Sequence, residues 1–155
     1  MKYLKATGKR FHTIPPSLFM NKITRNGNHA LTGGGFADIY KGTSGDMSVC
    51  LKVLRVHLAE TEEKKRRIIA DFCQEALIWT QLRHPNILPL LGVNTELFPS
   101  GFCLVSPWMG NGDIVSFLKL NPNHDKLQPI CEIMAGLEYL HTLPPPIVHG
   151  DIKGP

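Results

Sequence analysis

The chain has 155 residues, of which 43% are hydrophobic and 19% are charged, and its formal net charge is +4 at pH 7. Length and composition predict one globular domain with a real core, and they exclude a disordered or fibrous protein. No run of 18 apolar residues occurs, and no long apolar stretch follows the first positive charges. The sequence therefore predicts neither a membrane span nor a signal peptide. A cytoplasmic location is expected, with the nucleus as the alternative.

The first 27 residues form a basic segment, because Asp38 is the first acidic residue of the chain. The cations before it are Lys2, Lys5, Lys9, Arg10, Lys22 and Arg25. The prolines and Gly27 in this segment predict an extended basic arm over residues 1–27 and a globular part over residues 28–155. A solvated extension is the favoured interpretation of the charge, and contact with nucleic acid or an anionic membrane surface is the weaker alternative.

The predicted elements begin with a glycine cluster at residues 33–35, which leads into a strand. A second strand is predicted at 48–55, and a turn near Gly45-Asp46 would join the two as an antiparallel hairpin. A helix should open at Thr61, because its hydroxyl and the two glutamates that follow suit a helix N-terminus. This helix is predicted to run to about Leu82, where His-Pro-Asn stops it.

The second half of the chain has two short apolar runs, at 87–93 and 102–109, which are predicted as strands. A second helix is predicted over about 127–141, with an apolar stripe that contains Ile130, Met134 and Leu137. The fold class is therefore α+β: a small antiparallel sheet with one helix packed on it, followed by the start of a helical part. The chain's four cysteines are widely spaced and are predicted to be reduced core residues: Cys50, Cys73, Cys103 and Cys131.

Two charged residues, Lys52 and Glu75, lie in apolar surroundings. Lys52 lies inside the second predicted strand, and Glu75 lies in the middle of the first helix's apolar face. That face is formed by Ile68, Phe72, Trp79 and Leu82. Burial of a lone charge is unfavourable, so either both side chains reach solvent or they pair with each other. Pairing is favoured, and a lysine held in this way would keep its charge and could bind phosphate oxygens.

The order of these motifs, with HGDIK near the end of the chain, resembles the protein kinase family. The residues in these motifs are most similar to those of the tyrosine-kinase-like group of serine/threonine kinases. The resemblance covers Leu31 to the last residue. It implies a kinase-like small lobe at about 28–105, a hinge at about 106–112 and the start of the helical large lobe at 113–155. It also implies ATP and Mg²⁺ as cofactors, a protein substrate and transfer of the ATP γ-phosphate to a protein hydroxyl.

The glycine segment is similar to the kinase pattern G-x-G-x-x-G-x-V, with Thr32, Gly34 and Ala37 at the three glycine positions. VCLK at 49–52 is similar to V-A-I-K, which implies that Lys52 contacts the nucleotide's phosphates and that Glu75 is its helix partner. LVSPWM at 104–109 resembles the family's hinge, which implies that Ser106 is a small residue behind the adenine. The nucleotide-binding residues implied are Leu31, Gly33, Gly34, Gly35, Phe36, Ile39, Lys52, Glu75, Ser106, Pro107 and Met109.

HGDIK is similar to the family's catalytic loop, which implies that Asp151 is the base for the substrate hydroxyl and that Lys153 stabilises the transferred phosphoryl group. In the family, a lysine at that place accompanies serine/threonine specificity. Gly150 replaces an arginine, which implies control that does not depend on a phosphorylated activation loop. The metal-binding asparagine and D-F-G would lie after residue 155, so these residues alone are expected to be inactive. A non-catalytic kinase-like scaffold or binding module is the alternative.

Overall fold

The computed structural model describes residues 14–33, 37–56, 59–99 and 101–152. The chain divides into two compact units, of which the first comprises residues 1–82 and 89–108, and the second residues 83–88 and 109–155. The strands of the first unit are β1 (Thr24–Arg25), β2 (Thr32–Gly33), β3 (Ala37–Ser44), β4 (Met47–Leu54), β5 (Gly92–Asn94) and β6 (Cys103–Pro107). Its helix is α1 (Glu62–Trp79), and the second unit has α2 (Ile114–Leu120) and α3 (Leu127–Thr142).

These strands form one sheet in the order β1-β3-β4-β6-β5, and β2 pairs with β3. All of these pairings are antiparallel. The hairpin of β3 and β4 turns at Gly45-Asp46, as predicted, and Gly45 has a φ of +57° that glycine adopts without steric cost. An antiparallel sheet with a helix on it confirms the predicted fold class.

The core has two clusters because successive strand residues point to opposite faces of the sheet. One cluster lies between the sheet and α1, and includes Leu54, Phe72, Cys73, Ala76, Leu90, Val93 and Leu104. The other lies on the opposite face, and includes Ile23, Val49, Leu51, Val53, Phe98, Cys103 and Val105. Among the largest side chains with no more than 1% exposure are Phe72, Leu51 and Leu104. Lys52 and its strand neighbours are thus positioned by packing on both faces.

Helix α1 begins where the sequence predicted, because the Thr61 hydroxyl accepts a hydrogen bond from the backbone N–H of Lys64 at 3.2 Å. The helix ends at Trp79 and not at Leu82, and tighter backbone bonds continue the turn to Leu82. Its buried residues are Ile69, Phe72, Cys73 and Ala76. The predicted apolar face was therefore slightly misplaced, and Glu75 lies beside the buried face instead of in its middle.

Residues 14–25, which we call the N-terminal strap, are part of the fold although the sequence predicted an extended arm there. Phe19 forms a parallel bridge with Val93, and the N–H of Met20 donates to the Val93 carbonyl at 2.9 Å. Ile14 and Ile23 are 5% and 9% exposed, and they join the core clusters on opposite faces of the sheet. The strap is held because its apolar side chains are buried and its backbone is paired. Residues 1–13 lie outside the described residues.

The buried side-chain amide of Asn94 also holds the N-terminal strap in place. Asn94 is 4% exposed, and its side-chain N–H group donates to the Met20 carbonyl at 2.8 Å. Its amide oxygen accepts from the backbone N–H groups of Glu96 and Leu97 at 3.0 and 2.8 Å. Since these partners occupy both ends of the amide, burial of Asn94 is compatible with stability.

The predicted strand at 87–93 is wrong for most of its length, because only its last two residues join β5. His84 to Ile87 form a turn, in which the N–H of Ile87 donates to the His84 carbonyl at 3.1 Å, and Pro89 has no N–H to donate. Helix α2 was not predicted. Asp113 caps it by accepting hydrogen bonds from Ser116, which also lower the pKa of the Asp113 carboxyl.

In the second unit, the loop at 83–88 packs on α3. The rings of His84 and Tyr139 stack with centroids 5.0 Å apart, and the N–H of Arg83 donates to the Tyr139 hydroxyl at 2.9 Å. The opposite part of α3 leaves Leu127, Ile130, Ile133 and Met134 exposed. Ile130 and Met134 of the predicted apolar stripe are thus exposed, whereas Leu137 is half-buried. Within the described parts of the chain, no helix combines the length and the apolar character needed to span a bilayer.

Candidate functional site

Lys52 and Glu75 meet in an ion pair, as the sequence predicted. The Lys52 Nζ atom lies 2.8 Å from Glu75 Oε1, and the two side chains are 38% and 44% exposed. The charges therefore avoid the cost of isolated burial in two ways, by pairing and by contact with solvent. An ammonium group has three N–H donors, so a lysine fixed by one carboxylate can also hold an anionic oxygen of a ligand.

Small and apolar residues lie on the same face of the sheet as Lys52. Ile39 is opposite Lys52 in the pairing of β3 and β4, and Cys50 is opposite Ser106 in the pairing of β4 and β6. Ser106 is 6% exposed. Burial raises the pKa of the Cys50 thiol, and a hydrogen bond with Ser106 lowers it by less. A positive charge beside such a surface suits a ligand that has both a flat apolar part and a negative part.

The glycine segment is described only in part. Gly34, Gly35 and Phe36 lie outside the described residues, whereas Leu31 is exposed and its N–H donates to the Ile39 carbonyl at 2.8 Å. Thr32 lies in β2, opposite Ile39, where the backbone is extended. Threonine favours this conformation. Its substitution for a glycine of the kinase pattern therefore needs no left-handed backbone.

The predicted hinge residues belong to different units. In the first unit, Pro107 is opposite Val49, and its missing N–H breaks no pairing that the sheet requires at its end. In the second unit, Met109 is 51% exposed and its carbonyl accepts the N–H of Gly112 at 3.2 Å. A carbonyl has two lone pairs, so this turn leaves Met109 able to accept a second hydrogen bond.

The predicted catalytic loop lies in the second unit, and Lys153 lies outside the described residues. Asp151 is exposed, and its backbone N–H donates to His149 Nδ1 at 3.3 Å. Gly150 has a φ of +73°, a left-handed value that favours glycine over the arginine of the family's pattern. The local backbone thus accounts for one departure from that pattern.

The cysteine predictions are partly wrong. All four are free thiols, and Cys73 and Cys103 are buried as predicted, but Cys50 is half-buried and Cys131 is exposed on α3. Burial raises the pKa of the Cys103 thiol to about 12. The buried thiols are therefore poor nucleophiles at neutral pH.

Residues for a metal ion do not come together in the part of the chain that the structure describes. No group of three or more His, Cys, Asp or Glu side chains there could hold one. The described residues thus do not by themselves fit the Mg²⁺ that the resemblance implies. They do fit a nucleotide, whose phosphate would meet Lys52 and whose base would meet the face that contains Cys50 and Ser106.

Comparison with known proteins decides the family. The family model described as protein tyrosine and serine/threonine kinase matches residues 26–154. The chain belongs to the protein kinase family. This confirms the resemblance that the motifs indicated, and it includes both Lys52 and Asp151 within the kinase domain.

Known kinases are about 30% identical to this kinase domain over the residues that align. It is 30% identical over 129 residues to serine/threonine-protein kinase STY46 of Arabidopsis thaliana, which covers 81% of this chain and 21% of that protein. Dual specificity protein kinase splA of Dictyostelium discoideum is 31% identical, covering 77% of this chain and 5% of that protein. Serine/threonine-protein kinase tousled-like 2 of Homo sapiens is 30% identical over 154 residues, covering 94% and 20%. The chain thus spans about a fifth or less of these relatives.

Sequence analysis missed two features of the kinase domain's first unit. Asp38 and Arg55 form an ion pair with Oδ1 and Nη2 2.6 Å apart, and the Asn94 amide is buried against the strap. The hairpin register would have indicated the ion pair, because Arg55 is diagonal to Asp38 across β3 and β4. No local pattern indicates the Asn94 contact, since its partner is 74 residues away.

Proposed function

We propose that this kinase domain binds ATP through Lys52 and belongs to a protein serine/threonine kinase of the tyrosine-kinase-like group. The observation that carries the proposal is the 2.8 Å contact between Lys52 and Glu75, which lies on the sheet face that carries Ile39, Cys50 and Ser106. In the kinase family this pair fixes the lysine for the nucleotide's phosphates. The proposed location is the cytoplasm, with the nucleus as the alternative.

Each residue of the proposed site has a separate role in binding or in transfer. Lys52 neutralises phosphate oxygens, and Glu75 holds its ammonium group in place. Ser106, Pro107 and Met109 would contact the base, and the glycine segment would cover the phosphates. ATP, when bound, supplies the phosphoryl group, and Asp151 orients the substrate hydroxyl and accepts its proton. Lys153 would stabilise charge on the transferred group, and serine/threonine preference rests on this residue by resemblance.

The lysine is the first residue to test. We expect Lys52→Met to weaken nucleotide binding about tenfold or more, because a charge-assisted contact with phosphate is lost. At a ligand concentration about 100 times Kd, bound ATP should add about 2.7 kcal/mol to the free energy of unfolding of the unmodified chain. A thermal melt with and without ATP and Mg²⁺ measures this, and Lys52→Met should lose at least about half of the gain.

Lys65→Met is the matched control. Lys65 also forms an ion pair with a glutamate, at 2.7 Å from Glu62, but it lies on the first turn of α1 away from β4. The gain in stability that ATP gives Lys65→Met should equal the gain that it gives the unmodified chain. Equal stabilisation of Lys52→Met and the unmodified chain by ATP would contradict the proposed role of Lys52.

Phosphate transfer by residues 1–155 alone is expected to be absent or very slow. The residues that bind Mg²⁺ in the family's pattern are not among the described ones, and transfer depends on the metal and on positioning. The measurement is incorporation of labelled phosphate into a generic serine-containing protein by the purified chain. Incorporation that disappears in Asp151→Asn would overturn this expectation, whereas it would support Asp151 as the base.

A non-catalytic binding module is the second candidate. The exposed apolar side chains of α3, which are Leu127, Ile130, Ile133 and Met134, favour it because surface patches of this kind often mark contact sites. The nucleotide experiment separates the two candidates. An ATP-dependent gain in stability that needs Lys52 supports the kinase, and no gain at millimolar ATP supports the binding module.

A further inference from the structure

The ion pair of Asp38 and Arg55 lies on the face of the sheet opposite Lys52. Arg55 Nη2 is 2.6 Å from Asp38 Oδ1, and the side chains are 30% and 23% exposed. Asp38 precedes Ile39, which is opposite Lys52, so alternation directs Asp38 to the other face. The hydrogen bond with Asp38 raises the pKa of the Arg55 guanidinium, so Arg55 stays charged at neutral pH.

Gly33 packs directly against this ion pair. It is opposite Asp38 in the pairing of β2 and β3. A Cβ atom added to Gly33 would lie 2.5 Å from Arg55 Nη2 and 2.9 Å from Asp38 Oδ1, both of which are closer than real contacts allow. A side chain at this position would therefore displace the Arg55 guanidinium or the Asp38 carboxylate.

This packing accounts for the altered glycine pattern. The kinase pattern has its first glycine at position 32, where this chain has threonine, and the next residue, Gly33, is a glycine that the pattern does not require. Thr32 fits the extended strand β2, and Gly33 admits the ion pair. The glycine next to Thr32 thus leaves space for the ion pair of Asp38 and Arg55.

We propose that Asp38 and Arg55 are positioning residues that hold β2 against β3 for nucleotide binding. The end of β2 is Gly33, which contacts the pair, and the start of β3 is Ala37, which is next to Asp38. Both charged groups lie on the face opposite Lys52, so they act through the backbone of β2 and β3. Strands that are already ordered lose less conformational freedom when the ligand binds. The proposal rests on the proposed ATP site.

The first experiment needs no nucleotide. Amide hydrogen exchange is measured for the unmodified chain and for Asp38→Asn, Arg55→Gln and Gly33→Ala. We expect the amides of Leu31 and Gly33 to exchange about tenfold faster in each variant, because local opening of β2 becomes easier. Amides of α3 should not change. Lys65→Gln, which breaks a different ion pair, is the control and should leave β2 unchanged. Unchanged exchange in β2 of Asp38→Asn and Arg55→Gln would overturn the proposal.

The second experiment measures affinity for ADP with Mg²⁺. Arg55→Gln should bind about tenfold more weakly, and the exchanged pair Asp38→Arg with Arg55→Asp should recover most of that loss, because it restores opposite charges. A merely structural role would lower the melting temperature without this recovery of affinity. If the exchange rates rise while affinity stays at the unmodified value, the positioning role is wrong. If the unmodified chain binds no nucleotide, the proposed ATP site fails, and the exchange experiment still decides whether the pair holds β2 against β3.

Discussion

Deletion of residues 1–25, which leaves the part of the chain that the kinase family model matches, is expected to prevent stable folding of the first unit. The deletion removes Ile14 and Ile23, which are buried in the two core clusters, and it removes the partner of the Asn94 amide. Loss of two buried isoleucines costs about 2–5 kcal/mol each. The total is comparable to the whole stability of a domain, about 5–15 kcal/mol. Circular dichroism during thermal unfolding measures the effect.

Two matched variants test whether loss of the strap's contacts is the cause of the lost stability. Deletion of residues 1–13 removes none of the contacts named for the strap, so it should keep the melting temperature of the full chain. Asn94→Ala should lower the free energy of unfolding by about 1–3 kcal/mol, since it leaves the Met20 carbonyl and two backbone N–H groups without their partner. A cooperative transition at an unchanged temperature after deletion of residues 1–25 would show that the strap does not stabilise the sheet.

Phe72→Ala is expected to be the most damaging single substitution in α1. Phe72 is 1% exposed, and its ring meets that of Phe102 edge to face with centroids 5.6 Å apart. Replacement of a buried phenylalanine by alanine costs about 3–5 kcal/mol, because burial is lost and a cavity remains. The helix that carries Glu75 would lose its largest buried side chain. Denaturant unfolding monitored by tryptophan fluorescence gives the change in free energy.

The comparison for Phe72→Ala is Ile130→Ala on the exposed side of α3. Ile130 is 54% exposed, and surface substitutions of this kind usually change stability by about 0.5 kcal/mol or less. Phe72→Leu keeps most of the buried volume, so its loss in free energy of unfolding should lie between those of Phe72→Ala and Ile130→Ala. A loss below 1 kcal/mol for Phe72→Ala, which is about the size of a surface effect, would mean that α1 is not held by this residue.

The sequence was sufficient for the hairpin and for the pair that carries the candidate site. Once the turn is placed at Gly45-Asp46, antiparallel pairing puts Ile39 opposite Lys52, and helical periodicity puts Glu75 near the buried side of α1. Both results follow from local spacing, although Glu75 lies beside the buried face of α1 and not in its middle. The same register also places Arg55 diagonal to Asp38, so that ion pair was accessible from the sequence although it was not inferred.

Other features depend on contacts that local spacing does not encode. The strap joins residues near position 20 to β5, and composition alone made this basic segment look solvated. Helix α2 has only seven residues, too few to establish a helical period, so its cap at Asp113 was the available signal. The run at 87–93 is apolar enough for a strand, but Pro89 and the turn at His84 prevent pairing until Gly92. Tertiary pairing decides the strap, whereas a local cap and a local turn decide the other two.

The strap also affects how the protein behaves at high concentration. β5 is the outermost strand on one side of the sheet, and an outermost strand offers N–H and C=O groups with which another copy of the chain could pair and aggregate. Phe19 and Met20 occupy part of that ladder at Val93, and β1 lies along β3 at the other side. Solubility of this kinase domain should therefore depend on residues that precede the segment shared with the family.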